Sequence, residues 1–127
     1  MGVKGELGKV VAGGAMMGPA VENLSYPTTK TTSGLIFLSK AAAEPAPVNP
    51  CIRCGRCVEY CPMGLEPVEV NQAYAARDVQ ELGKLHVDYC FNCGSCTFVC
   101  PAKRPCTQMM GLAKAFYLGE IKKGGNK

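Results

Sequence analysis

The 127-residue sequence has no tryptophan, four phenylalanines, five tyrosines and one histidine. So few large side chains fill only a small apolar core, one that is marginal at this length unless something else ties the chain together. A bound inorganic group is such a tie. Long apolar runs are also missing: the longest mostly apolar stretch, Val10–Val21, is broken by Gly13, Gly14, Gly18 and Pro19, whereas a membrane span needs about 20 residues. No transmembrane helix is expected. The first residues lack the basic region, apolar core and cleavage site of a secretory signal, so export is not expected either. No Gly-rich loop follows a strand, and there is no acidic ribose partner and no P-loop, which excludes the usual nucleotide-binding signatures. With 47% hydrophobic and 19% charged residues, the chain reads as one globular domain or one domain with an appendage.

Cysteine is abundant. Nine are present, and in a protein that is not exported this points to metal or redox chemistry before disulfides. All nine follow a change in composition. Residues 1–40 have no cysteine and carry two β-like runs, Lys9-Val10-Val11 and Leu35–Leu38, separated by glycine, proline and the Thr28–Thr32 stretch. So short a pair of strands is marginal alone, and the segment reads as the β-rich end of a larger domain. Residues 41–50, with Pro45, Pro47 and Pro50, read as an extended linker. Residues 51–122 read as short helical pieces. Pro67 suits the first turn of a helix with Val70, Ala73 and Tyr74 on one side. Asp78 followed by Glu81 suits a helix start. Met109, Leu112, Ala113, Phe116 and Tyr117 trace one apolar face of a helix beginning near Pro105. Residues 123–127 read as a disordered tail.

One internal repeat dominates. Cys51-Ile52-Arg53-Cys54-Gly55-Arg56-Cys57-Val58-Glu59-Tyr60-Cys61-Pro62 recurs as Cys90-Phe91-Asn92-Cys93-Gly94-Ser95-Cys96-Thr97-Phe98-Val99-Cys100-Pro101. Both copies spell C-x2-C-x2-C-x3-C-P, the pattern of two-cluster bacterial ferredoxins. Three thiolates at two-residue intervals wrap one face of a cubane, and the cysteine before proline reaches across to the other cluster. The expected ligands are Cys51, Cys54, Cys57 and Cys100 for one 4Fe-4S cluster, and Cys90, Cys93, Cys96 and Cys61 for the other. Gly55 and Gly94 let each loop turn its N–H groups toward sulfur. Zinc uses two Cys-x2-Cys pairs per ion and has no use for the third cysteine and the Cys-Pro, so a zinc-stapled interaction module is the weaker alternative. Cys106 lies outside both motifs and reads as a small buried hydrophobe. His86 reads as a polar surface or capping residue. Arg53, Arg56, Lys103 and Arg104 flank the loops, solvated or facing an acidic electron partner. The formal charge of +4 falls to about zero once eight thiolates hold two oxidised cores, which removes the main support for nucleic-acid binding.

Asn49–Leu65, together with Cys93-Gly94-Ser95-Cys96 and Val99-Cys100-Pro101-Ala102-Lys103, resembles the C subunit of the Rnf complex, a membrane-bound, ion-translocating ferredoxin:NAD+ oxidoreductase. The Gly13-Gly14-Ala15-Met16-Met17-Gly18 and Thr31-Thr32-Ser33-Gly34 segments resemble the stretch that leads into the cluster domain of that family, although the family more often has proline where Ala15 stands. The resemblance implies a mainly α fold, an α-helical ferredoxin with two 4Fe-4S clusters, preceded here by a short β-rich remnant. It also implies a peripheral place on the cytoplasmic side of the cell membrane, with other subunits of a redox complex as partners. A ferredoxin or a flavin-bearing domain would then be the source or sink of electrons. Members of the family are several times longer and carry a flavin- and NADH-binding domain of which this sequence has nothing, so no catalytic site of its own is expected. A free-standing two-cluster ferredoxin is the alternative that keeps the same cofactors.

Overall fold

The computed structural model describes residues 5–124; residues 1–4 and 125–127 of the expected β-rich segment and tail lie outside them. The chain divides into two compact units, one ending at Pro47 and the other beginning at Val48.

In the first unit, β1 (Leu7–Ala12) and β2 (Leu35–Ser39) pair antiparallel, with Val10 opposite Phe37 and Val11 opposite Ile36, and a bulge between Leu7 and Lys9. The other edge of β1 is closed by the returning chain: Ala12 N–H donates to Pro19 O at 3.0 Å and Val21 N–H to Val10 O at 2.8 Å. Val10 and Val11, neighbours on opposite faces, are both buried, and the returning chain lies against Val11, where a Cβ on Gly18 would come within 2.7 Å of Val11 Cγ1. β2 ends in a single turn of helix, α1 (Lys40–Ala43), started by Ser39, whose hydroxyl accepts Ala42 N–H at 3.4 Å. Three consecutive alanines favour helix, so the extended segment begins at Glu44 rather than at residue 41. α1 packs against β1 at Gly8, where a Cβ would come within 2.6 Å of Lys40 Cα.

The second unit is helical: α2 (Arg56–Glu59), α3 (Pro67–Ala75), α4 (Val79–Lys84), a 3-10 turn (Val87–Tyr89), α5 (Ser95–Phe98) and α6 (Cys106–Gly124). α3 starts on Pro67, whose fixed φ and missing N–H suit a first turn. It ends in a Schellman arrangement: Arg77 (φ 57) is left-handed, Arg77 N–H reaches Tyr74 O and Asp78 N–H reaches Ala73 O. Asp78 then caps α4, its Oδ1 accepting Glu81 N–H at 3.0 Å. Two residues therefore turn the chain from one helix into the next.

α3, α4, α6 and the 3-10 turn enclose one core of Leu65, Val70, Ala73, Leu82, Val87, Met110 and Ala113, with Cys61, Tyr74, Leu85, Cys90, Phe116 and Tyr117 at its border. Tyr74 and Phe116 meet edge to face at 5.8 Å, and the Arg77 guanidinium lies over both rings at 4.7 and 5.0 Å. Such ring contacts contribute about 1 kcal/mol each beyond area burial. The face of α6 keeps Ala113, Phe116 and Tyr117 of the expected pattern but not Leu112. Cys106, Met110 and Ala113 turn inward, while Met109 is half-buried and Leu112 is 53% exposed. α6 touches α3, α4, α5 and the 3-10 turn, and an i, i+4, i+7 row serves those neighbours better than the row through 109 and 112. α6 also carries on through Lys123, paired with Glu120 at 2.8 Å, to Gly124, so residues 123 and 124 are helical rather than part of a tail.

Candidate metal-cluster sites

The sequence repeat is also a repeat of backbone conformation. Carried forward by the offset from Cys51 to Cys90, three left-handed positions coincide: Arg53 with Asn92 (φ 52 and 56), Gly55 with Gly94 (φ 77 and 88), and Gly64 with Lys103 (φ 64 and 55). Each Gly precedes a short helix, α2 or α5, and its carbonyl accepts two N–H groups in both copies, from Val58 and Glu59 and from Thr97 and Phe98. Glycine here supplies the φ; a Cβ on Gly55 would meet nothing within 4 Å. In the first repeat the left-handed residues curl the chain so that amides face sulfur. Arg53 N–H lies 3.4 Å from Cys51 Sγ, and Leu65 N–H lies 3.4 Å from Cys61 Sγ.

The curled loops form two cavities, and each draws on both repeats. Cys51, Cys54 and Cys57 line the first together with Cys100, along with Arg56, Val68, Asn71, Arg104, Cys106 and Met109; its volume is about 270 Å³. Cys90, Cys93 and Cys96 line the second together with Cys61, Pro67, Thr107 and Met110. The second is narrow, about 20 Å³; Cys90 Sγ lies 3.5 Å from Asn92 Oδ1, Cys93 Sγ 3.4 Å from Ser95 Oγ and Cys96 Sγ 3.4 Å from Thr107 Oγ1. The ends of the repeats are joined as well, since Asn49 N–H donates to Ala102 O at 2.9 Å. Among the described residues no three Cys, His, Asp or Glu side chains are gathered so tightly that they could share a single ion.

The thiols differ in electrostatics. Burial pushes the Cys57 thiol up, opposed by its own and the Val58 N–H groups; Cys96 and Cys51 raise it further. Burial also pushes Cys96 up, opposed by the Thr107 hydroxyl and the Thr97 N–H. Burial thus disfavours the thiolate at both positions, and a cation beside the sulfur favours it. Cys106 is pushed up to about 12 by burial, with Cys100, Cys96 and Cys57 adding to the rise. It is buried and lines the first cavity. His86 is exposed, left-handed at the end of α4, and stacks on Tyr89 at 5.3 Å. Arg56 and Arg104 line the first cavity, and Arg53 and Lys103 are exposed beside the loops.

Sequence reasoning missed several wall residues. Asn71, whose Oδ1 is buried without a hydrogen bond, lines the first cavity at the place where Met110 stands in the second. Thr107 and the Lys114 ammonium, which donates to Cys90 O at 2.7 Å, both come from α6. Extending the repeat past the Cys-Pro would have found the first two pairs, because Val68 and Asn71 map onto Thr107 and Met110.

Residues 50–103 match the family described as a 4Fe-4S dicluster domain. The match indicates two 4Fe-4S clusters as the cofactors of this region. The chain is also 42% identical over 77 residues to the C subunit of the ion-translocating oxidoreductase complex of Rhodobacter capsulatus, a match covering 61% of this chain and 15% of that protein. The C subunit of the Na(+)-translocating ferredoxin:NAD(+) oxidoreductase complex of Acetobacterium woodii is 40% identical over 78 residues, covering 61% and 17%. The proton-translocating counterpart of Clostridium ljungdahlii is 46% identical over 66 residues, covering 52% and 14%. The resemblance to the C subunit of the Rnf complex is borne out over the iron–sulfur region. The chain spans about 15% of the length of the curated relatives it matches. Among the described residues no helix is long and apolar enough to cross a membrane.

Proposed function

We propose that this chain is the electron-relay module of an Rnf-type ferredoxin:NAD+ oxidoreductase complex, built as an α-helical ferredoxin. Cys51, Cys54, Cys57 and Cys100 hold one cluster, and Cys90, Cys93, Cys96 and Cys61 hold the other. The observation that carries this reading is the crosswise lining: each cavity has three thiols from one repeat and the fourth from its partner repeat. The first cavity has the volume of several water molecules, each about 30 Å³, and four soft thiols around it suit iron and sulfide. Around the second, Cys90, Cys93, Cys96 and Cys61 supply the same donor set, with Thr107 beside Cys96. When bound, the clusters supply one-electron redox chemistry at four-thiolate sites that leave no iron open to substrate.

What the protein's own residues do is orient and insulate. The left-handed residues of the first repeat aim N–H groups at Cys51 and Cys61, residues of α3 and α6 line the sites, and Cys57 is buried while Cys51 and Cys54 stay exposed. Arg53, Arg56, Lys103 and Arg104 give the first loop a positive rim that suits an acidic electron partner. The β1–β2 unit reads as the end of a larger β-rich domain, with residues 44–50 as its linker to the cluster module. The module would sit peripherally on the cytoplasmic side of the membrane against other subunits of the complex.

Anaerobic purification with iron and sulfide analysis, followed by EPR of the reduced protein, tests this. The expected result is brown protein with about eight irons and eight sulfides per chain. Colourless protein with stoichiometric zinc overturns it.

A further inference from the structure

A pair of hydroxyls outside the cysteine positions reaches the second cavity. Thr107, in the first turn of α6, places its Oγ1 3.4 Å from Cys96 Sγ. Behind it, the Thr97 hydroxyl donates to Thr107 Oγ1 at 2.8 Å and accepts Thr107 N–H at 2.8 Å. Counting protons sets the direction. Thr97 commits its one hydroxyl proton to Thr107, which leaves Thr107 its own proton to give, with Cys96 Sγ in reach. A thiolate has no proton to donate, so with Cys96 on iron the bond runs from Thr107 O–H to sulfur. The donor is strengthened by the hydroxyl behind it.

The first repeat has no such pair. At the same offset, Thr97 corresponds to Val58 and Thr107 to Val68, and Val68 lines the first cavity as Thr107 lines the second. Valine has the outline of threonine without the hydroxyl. The two sites are thus built on one backbone plan and, at this pair of positions, differ by two oxygen atoms.

We propose that the Thr97–Thr107 pair is a tuning device that holds the second cluster's reduction potential above the value its four thiolates alone would set. The inference rests on the ligand assignment given above. Adding an electron makes the ligating sulfurs more negative, so a hydrogen bond aimed at Cys96 stabilises the reduced state more than the oxidised one. Thr107 acts through Cys96 and is a positioning residue, not a ligand.

The test is an anaerobic, dye-mediated redox titration of the full chain followed by EPR. Cys93→Ala identifies which of the two one-electron waves belongs to the second cluster. Thr107→Val moves that wave to lower potential by up to about 59 mV, a tenfold change in the oxidised-to-reduced ratio at fixed ambient potential. The other wave stays, and Thr107→Ser, which keeps the hydroxyl, restores the second cluster's wave. Thr97→Val, which removes the rear hydroxyl and installs the first repeat's residue, shifts the same wave the same way by less. It stands in should Thr107→Val fail to fold. An unmoved second wave, equal movement of both waves, or a serine variant that behaves like valine overturns the proposal. A wild-type preparation without two waves overturns the ligand assignment itself, and the tuning with it, so the two failures are told apart.

Discussion

Crosswise ligation makes a prediction about pairs of substitutions that no parallel arrangement shares. Cys54 and Cys100 are far apart in sequence but line one cavity, whereas Cys54 and Cys61 are close in sequence and line different ones. Each cavity is to hold four irons, so Cys54→Ala and Cys100→Ala singly should each reduce iron from about eight to about four per chain. Combined, they remove two ligands from the same cluster, and the double variant should still hold about four. Cys54→Ala with Cys61→Ala strikes both clusters and should fall toward about zero. This is a double-mutant cycle read in metal content, and its coupling reports a shared site. Iron and acid-labile sulfide per folded chain, with EPR to count surviving clusters, provide the measurement. The reasoning is refuted if Cys54→Ala with Cys100→Ala empties both sites while Cys54→Ala with Cys61→Ala keeps about four irons, since that pattern assigns each fourth cysteine to its own repeat.

Three further outcomes are expected. Leu82 is fully buried, so Leu82→Ala should cost about 2–5 kcal/mol, whereas the exposed Leu112→Ala should stay within about 0.5 kcal/mol; anaerobic denaturant unfolding of the loaded protein compares them. Stripping iron with a chelator should abolish much of the helical circular dichroism, because the helices share a core of few buried side chains and the clusters supply the remaining stability. Retention of full helicity would show that the core suffices alone. Cys106→Ala should leave about eight irons in place and cost about 1 kcal/mol by lost packing; loss of iron in that variant would make Cys106 a ligand.

Local rules written in a few adjacent residues were legible from sequence. Pro67 starts α3, Asp78 and Glu81 start α4, the two β-like runs pair, and the duplicated cysteine motif marks both curled loops. What could not be read depends on which neighbours an element meets. The apolar residues of α6 fit more than one helical row, and contact with α3, α4 and α5 selects the one through Met110. Likewise the turn at Lys40–Ala43 needed its cap from the last residue of a strand, Ser39, and the Thr97–Thr107 bond joins α5 to α6 across a bend. The wall residues were legible in principle, because the repeat continues past each Cys-Pro, but the cysteines alone do not signal how far it extends.

The duplicated backbone has a consequence for how such a protein can arise. Each repeat brings three sulfurs to its own cavity and sends one to its neighbour's, so a single copy is coordinatively incomplete. Two separate copies could complete each other as a symmetric pair, and joining them through residues 62–89 turns that meeting of strangers into an intramolecular certainty, with a high effective concentration at every dilution. Once fused, the halves were free to diverge. Valine on one side and threonine on the other become tolerable differences, and a pair of identical electron sites becomes two that can be adjusted one at a time.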